Sequence, residues 1–487
     1  LKYVLGIDFG GGSSKAALLS EGGTLAASAG SEYPTYYPNI GYAEQNPDDW
    51  YKSAKENIRA VIDKSGVNPC DIVCVALDAA THTAVLCDDD FNVVRPSIYW
   101  TDTRCTDEVR YLTENYAELI KKKSYHSAGS IWTLPQIMWV KNNESEDFSR
   151  IKRIMFAKDY VRHMLTGDFV TDIIEAEGSM LFDMESGNWS DELCKICGIE
   201  RSMLPEIKRP GDMAGAVTAR AAADTGLCEG TSVICGTTDT VMEVFASGAV
   251  EKGNMTLKLA TAGRICVITD KPYPDINLVN YSHTVSGLWY PGTATKSCAA
   301  SMRWFRDTFG GDYKDFDEAA EKIDVGSDGL IFHPYLNGEL TPYQDPSLCG
   351  SFTGIRGGHT KAHFARAVME GVAMSMLDCM KTLDSLGISH DSAARIIGGG
   401  SKSPLWRQIT ADCLGIELSV GNNTDSSFGS AMLAGIAAGF WKNEKDALAH
   451  CSKVVSTTAP NSENTKKYAE IFKKYKRIHD ALEDVYR

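Results

Sequence analysis

The stretch GIDFGGGSSKAALL, residues 6 to 19, restricts the fold more than any other part of the chain. Apolar runs close in on both sides of Gly10, Gly11 and Gly12, so two strands are joined by a short turn. A two-residue hairpin needs one or two residues at positive φ, for which a single glycine often suffices. Three glycines followed by Ser13, Ser14 and Lys15 leave bare backbone whose N–H groups can approach an anion closely. Asp8 ends the first strand and points into the same space. Its charge would repel phosphates unless a divalent cation such as Mg²⁺, bound through water, lay between them. The segment reads equally as a tight hairpin with a solvent-facing Asp or as a phosphate loop. It is not a P-loop, because GxxxxGK[ST] is absent and no helix follows.

Strand-like runs (YVLGIDFG, AALLS, DIVCVAL, AVLCDDD) alternate with helical stretches such as NPDDWYKSAKENIRAVIDKS, which predicts α/β layers. Asn46 before Pro47 is a reasonable cap followed by proline at the first helical position. The last stretch, NTKKYAEIFKKYKRIHDALEDVYR, carries apolar residues at helical spacing and predicts an amphipathic helix. The opening hairpin has a fainter partner in MTLKLATAGRICVITD, residues 255 to 270. Repeating the unit predicts two similarly built lobes facing one another. A chain of 487 residues also exceeds one ordinary core.

Formal net charge is −15, which argues against nucleic acid or an anionic membrane as the main partner. No apolar stretch approaches the roughly 20 residues of a membrane span. The start LKYVLGIDFG lacks a basic region with a cleavage site, so no signal peptide is expected. The 14 cysteines are scattered, mostly within apolar segments, as in a cytoplasmic protein with reduced thiols and no disulfide framework. Cys194 and Cys197 form a lone CxxC in a predicted helix, without a second pair or histidine at zinc-site spacing.

Two further segments bear on the opening question. In VICGTTDTVMEVFASG, Asp239 follows an apolar strand, either as a turn former or as a base taking the proton of an attacking hydroxyl. In RIIGGGSKSPLWRQITADCLG a strand meets a triple-glycine turn and then a helix, either a tight turn or a bare surface for a flat ring.

With these segments in view, the chain resembles the FGGY carbohydrate kinases from about residue 3 to 440. The most specific element is GSFTGIRGGHTKAHFARAVMEG, which fits the family's C-terminal signature at Gly350, Phe352, Gly354, Ile355, His363, Phe364, Ala367, Val368, Met369 and Glu370. Within the family, GYAEQNPDDW, RPSIYWTDTR, MLPEIKRPGDMAGAVT, FHPYLNGELTPYQDP and GGGSKSPLWRQITADCLG look most like xylulokinases.

The resemblance implies the two-lobed actin/Hsp70/sugar-kinase (ribonuclease H-like) α/β fold. Each lobe would be a mixed sheet flanked by helices, with the active-site cleft between lobes. The expected domains are 1–243, 244–445 and a helical extension, 446–487, on the second lobe. The implied reaction is ATP-dependent phosphorylation of a primary hydroxyl of a small ketose, D-xylulose to D-xylulose 5-phosphate. Ribulose, erythritol, threitol, glycerol or gluconate are alternative acceptors, and a non-sugar ATPase of the same fold is a further alternative. Asp239 matches the catalytic base, and Asp8 with Gly10, Gly11, Gly12, Ser13, Ser14 and Lys15 matches the first phosphate motif. Thr261, Ala262 and Gly263 match the second, with Ala260-Thr261 in place of the usual Gly-Thr. Gly398, Gly399, Gly400 and Ser401 match the adenosine motif. Thr81, His82, Trp100, Asp102, Trp132, Asp239 and Thr240 would hold the sugar, with Arg104 completing a W-x-D-x-R segment. Asp8 and Asp239 would hold Mg²⁺ through water, and a homodimer is implied. For His82 a hydrogen-bonded core histidine is the competing reading. Ala79-Ala80-Thr81-His82-Thr83 replaces the Gly-Gln-Met-His-Gly usual in xylulokinases, Gln136 stands for a usual Lys, and Leu340 for a frequent Arg. The resemblance puts the first of these departures, at Thr81, where family members differ by substrate, which leaves the sugar open.

Overall fold

In the computed structural model, which describes residues 1–486, the opening hairpin forms the middle of a seven-stranded sheet. Tyr3–Phe9 (β1) is buried along nearly its whole length, as a central strand must be. It pairs antiparallel with Ser13–Ser20 (β2), which pairs with Leu25–Glu32 (β3), and parallel with Ile72–Ala79 (β4). Met213–Ala216 (β5) and Ser232–Ile234 (β6) complete the order β5-β6-β4-β1-β2-β3, and Thr237–Thr238 (β7) pairs parallel with β4. Pro47–Ser65 (α1) is capped by the Asn46 side chain, begins with Pro47 and ends at Gly66 in the left-handed region, φ 65°. Thr133–Asn143 (α2), Ala157–Thr166 (α3), Ile173–Gly178 (α4) and Asp239–Ser247 (α5) follow in chain order.

The second hairpin repeats the plan. Met255–Leu259 (β8) pairs antiparallel with Gly263–Val267 (β9). It pairs parallel with Ala393–Ile397 (β11). Gly292–Thr295 (β10), Glu417–Gly421 (β12) and Val454–Thr458 (β13) extend the sheet to β10-β9-β8-β11-β12-β13. Read from the antiparallel edge, the two sheets have the same pairing around their first strands. The weak repeat in the sequence is therefore a structural duplication. Ala299–Phe309 (α6), Lys361–Ser385 (α7) and Pro404–Leu414 (α8) pack on this second sheet with a core that includes Leu257, Ile265, Val368, Val372 and Trp406.

The chain divides into two compact units: Leu1–Ala246 with Tyr281–Gly287 and Asn423–Ser452, and the remainder. The segment from 423 to 445, grouped in the sequence reading with the second lobe, belongs instead to the first unit. Its helix Ser426–Ala437 (α9) lies so close on β1 that a Cβ on Gly6 would fall 2.0 Å from the Ser427 carbonyl oxygen. Residues 446–452 also belong to that unit, whereas Ser462–Tyr486 (α10) buries Tyr468, Phe472, Tyr475 and His479 in the second.

The expectation of uniformly reduced thiols needs one correction: Cys70 and Cys228 are joined in a disulfide. The pairing follows from register, because Ser232 lies opposite Cys74 on the neighbouring parallel strand and Cys228 and Cys70 each precede these by four residues. The other cysteines are free, and all but Cys349 are buried. Cys194 and Cys197 are among them, and burial holds the Cys194 thiol at about 12, which makes the pair structural. Among the described residues no helix is long and apolar enough to cross a membrane.

Candidate active site

In the first unit the strand registers lay out a row of side chains. Lys15 lies opposite Asp8, Asp8 opposite Asp78, and Asp78 opposite Thr237, across β2, β1, β4 and β7. Asp8 and Asp78 are buried and share a hydrogen bond. Burial is the main reason that Asp8 rises to about 7, with the charges of Asp239, Asp425 and Glu243 adding to it. Burial, and then the neighbouring charge of Asp8, push Asp78 well above the usual carboxylate range. Asp78 also accepts from the Ser430 hydroxyl on α9 at 2.5 Å. Lys15 pairs at 2.5 Å with Asp425, the residue that caps α9. Asp239 opens α5 and accepts from the Thr240 hydroxyl at 3.2 Å.

The glycine turn is closed by a 3.0 Å bond from the Gly10 amide to the Ser13 carbonyl. None of the three glycines sits at positive φ, so they are not there for backbone conformation. Their carbonyls are tied inward. Tyr33 Oη donates to Gly10, Gln45 and Thr35 side chains donate to Gly11, and the Tyr33 amide donates to Gly12. The amides of Gly11 and Gly12 take no part in this pinning, and a Cβ on Gly12 would meet nothing within 4 Å. The result is an exposed strip of backbone donors, the arrangement that suits an anion. Ser14 does not join it: its hydroxyl is buried and bonded to Ser53 and Asn57. Ser13 is half-buried at the turn, and Lys15 faces out.

Around His82 a second group assembles. The His82 backbone takes φ 56°, its amide donates to Glu175 Oε1 at 2.5 Å, and its carbonyl accepts from Thr133 at 2.8 Å. Its ring lies 4.9 Å from that of Trp132, which stacks at 4.3 Å on His126, and His126 faces Tyr281 at 5.6 Å. Gly178 fits among them because a Cβ there would come within 2.8 Å of Thr81 and 3.0 Å of His82. Burial lowers His82 and His126 to about 3, so both rings are neutral. His82 Nδ1 and His126 Nε2 are buried without hydrogen-bond partners. Beside them, burial raises Glu177 to about 8 while the Ser282 amide donates to its carboxylate at 2.7 Å.

Trp100 is 41% exposed and Asp102 is not. Both Asp102 oxygens are engaged within the protein, by Arg104 and by the Ala43 amide at 2.6 Å. Arg104 continues to Glu44 at 2.8 Å and lies over the Tyr42 and Trp139 rings. This part of the W-x-D-x-R segment is a brace for the turn carrying Trp100.

In the second unit Thr261 and Ala262 form the exposed turn between β8 and β9. Here too the carbonyls are tied down. The Ala299 amide bonds Ala260, and the Cys298 amide bonds Thr261, at 2.7 and 3.0 Å. Arg303 reaches the Thr261 hydroxyl at 2.9 Å. Gly263 is buried, its amide bonded to Thr295. The turn after β11 adjoins this one: Gly398 has φ 91°, and a Cβ there would lie 2.6 Å from the Leu259 carbonyl. Gly399 is open, Gly400 is packed on Leu259, and the Ser401 hydroxyl bonds back to Gly398 at 2.6 Å. Ser403 then caps α8.

Sequence reasoning missed Asp78, although DIVCVALDA repeats the apolar-run-then-Asp pattern of VLGIDF. It also missed His126, Tyr281 and Asp425, which arrive from loops and a returning segment without a local signal, Glu177 on α4, and Glu243, one turn beyond Asp239 on α5. Volume is no guide either. A groove of about 1120 Å³ lined by Trp189, Arg201, Lys208, Arg209 and Met213 holds none of the expected residues.

Residues 3–246 match the N-terminal domain of the FGGY family of carbohydrate kinases, and residues 255–438 match its C-terminal domain. The chain is 30% identical to the xylulose kinase of Bacillus subtilis strain 168 over 100% of this chain and 98% of that one. It is 26% identical to the gluconokinase of the same organism, over 99% and 97%. The crystal structure of xylulose kinase from Rhodospirillum rubrum matches with a TM-score of 0.92 at 27% identity, covering 100% of both chains.

Proposed function

The chain belongs to the FGGY family of carbohydrate kinases, and from that premise we propose that it transfers the terminal phosphoryl group of ATP to a primary hydroxyl of a small uncharged ketose, D-xylulose. The observation that carries this reading is the Lys15–Asp8–Asp78–Thr237 row beside a glycine turn stripped of free carbonyls, with Asp239 two residues beyond Thr237.

Asp239 orients the acceptor hydroxyl and takes its proton as the oxygen attacks. The amides of Gly11 and Gly12, with Ser13 and Lys15, face the transferred phosphoryl group. Thr261 to Gly263 and Gly398 to Ser401 serve the nucleotide. Thr81, His82, Trp132, Trp100 and Thr240 contact the sugar, and Asp102 acts on it only through the turn it braces. Among the described residues no group of three or more His, Cys, Asp or Glu side chains is set to hold a metal alone. Mg²⁺ suits this site as a companion of the phosphates, since Asp8 Oδ1 is buried without a hydrogen-bond partner and Asp239 adjoins it electrostatically. Bound through water there, it would offset charge on phosphate oxygens.

The acceptor's lack of charge is supported by the His82 group, whose side chains include two neutral imidazoles, an indole and no cation. A carboxylate substrate would lie there without a counter-charge. The likeness to a gluconokinase supports the second reading, an aldonate acceptor. An ADP-release assay over D-xylulose, D-ribulose, glycerol, erythritol and gluconate separates them. D-Xylulose is expected to give the highest kcat/KM. Preference for gluconate overturns the uncharged acceptor, and acceptor-independent ADP release overturns the sugar-kinase reading. Light scattering checks the homodimer that the family implies, and fractionation its cytoplasmic setting.

A further inference from the structure

Five titratable side chains, Lys158, Asp159, Arg162, Asp172 and Glu175, lie buried together, with Asp168 half-buried beside them. Lys158 on α3 is 0% exposed, with Nζ 2.7 Å from Asp159, 2.8 Å from Asp172 and 3.7 Å from Glu175. Arg162, one turn on, bonds Asp159 and Asp168, each at 3.0 Å. Such a cluster is hard to explain by stability, because desolvating several charges costs about as much as their attraction returns.

Its connections suggest another purpose. Asp172 caps α4, accepting from the Ile174 and Glu175 amides, and its Oδ1 also accepts from Thr237 Oγ1 at 2.8 Å. Thr237 is two residues before Asp239. Glu175 accepts from the His82 amide and so holds a left-handed backbone that a non-glycine residue adopts at a cost. Arg162 adds a 2.6 Å bond to the Cys235 carbonyl, on the approach to the same β7 strand. One ammonium group thus lies between two carboxylates, one gripping the strand that leads to the base, the other gripping the sugar-side turn.

We propose that Lys158 is a positioning residue, the common anchor that sets the His82 turn and the Thr237–Asp239 segment in one fixed relation. This rests on the kinase reading for its kinetic consequences but not for its structural ones. An error of about 1 Å in aligning reacting groups costs up to roughly a hundredfold in rate, so the cluster is placed where small displacements matter.

The test uses Lys158→Met, with Lys158→Arg as the conservative variant, and Thr237→Val and Glu175→Ala as single-arm cuts. Thr237→Val is expected to lower kcat about tenfold with acceptor KM unchanged. Glu175→Ala is expected to raise acceptor KM by a similar factor, and Lys158→Met to do both while ATP KM stays put. Lys158→Arg is expected to recover part of each effect. A merely structural role lowers the active fraction and moves no KM. Hydrogen exchange by mass spectrometry supplies a readout free of any acceptor. Lys158→Met should lose protection in peptides covering His82 and Thr237–Asp239 together, and each single-arm variant in one of them. If Lys158→Met does not fold, the two single-arm variants decide. Wild-type kinetics and exchange in both, or in a folded Lys158→Met, overturn the proposal. A wild-type enzyme without acceptor-dependent ADP release overturns the kinase reading instead and leaves the exchange result to judge this one.

Discussion

Asp239 stands at the first turn of α5 with one oxygen held by Thr240, so its geometry is set before any substrate arrives. Removing its basicity while keeping its shape isolates that contribution. Asp239→Asn is expected to drop kcat by roughly a hundredfold or more, as loss of a positioned base does, with ATP affinity by calorimetry nearly unchanged. Wild-type turnover in the Asn variant would remove Asp239 from the mechanism. Glu339 offers a test of a different kind. Its buried carboxyl accepts from the Lys296 and Leu340 amides, both at 2.8 Å, and burial pushes it up to about 7. The folded state therefore keeps a proton that the unfolded chain releases near 4.5, and stability from this group is lost as pH rises through about 7. Glu339→Gln keeps the accepting oxygen without the titration. Its melting temperature relative to wild type should rise between pH 5 and 8, and a constant difference across that range would show that Glu339 does not titrate there. At this scale the sequence was most legible where a candidate side chain is marked by its own segment, as Asp8 and Asp239 are. It was least legible where partners converge from afar, as His126 and Tyr281 do on Trp132.

Elements were legible where periodicity and caps agree, as in α1 with Asn46-Pro47 and in α10 with its buried 468, 472, 475, 479 stripe. The hairpin was legible too, but its glycines do other work than positive φ: they leave the turn's amides uncovered while Tyr33, Thr35 and Gln45 hold its carbonyls. Ser14 could have been assigned correctly from the strand's own alternation. Ser13 and Lys15 share a face, so Ser14 must face the other way, into α1. Within the C-terminal signature, Glu370 on α7 likewise holds its element in place, binding Arg366, Tyr468 and Ser327. α9 packs tightly on β1, where Gly6 has no room for a methyl group: Ser427 O and Ala431 N lie 2.0 and 2.3 Å from its Cβ position. Both are backbone atoms and cannot rotate away. Gly6→Ala should cost about 3 kcal/mol or more, read as a shift in denaturant midpoint, and a near-neutral midpoint would mean that α9 does not sit on β1.

Across the whole molecule the duplication was readable, because two hairpins with small-residue turns recur in the sequence, whereas the order in which the chain visits its two units was not. Asn423–Ser452 returns to the first unit after the second sheet is nearly complete, and its only local mark is a run of small residues, SSFGSAMLAGIA, that permits close approach to β1. The disulfide escaped for a related reason. Cys70 and Cys228 are 158 residues apart, and only the parallel register of β4 and β6 brings them level. A bond closing so long a loop removes much of the unfolded chain's freedom, worth about 4–5 kcal/mol in the chain-entropy account. Protein denatured without reductant should titrate 12 thiols and, after reduction, all 14. Cys70→Ser should melt several degrees lower than the oxidised wild type, and the reduced wild type should match it, because the folded contacts are the same and only the unfolded ensemble has changed. Fourteen thiols before reduction would place the protein in a reduced state in which register alone holds these two strand ends together, and the Cys70→Ser difference should then vanish with it.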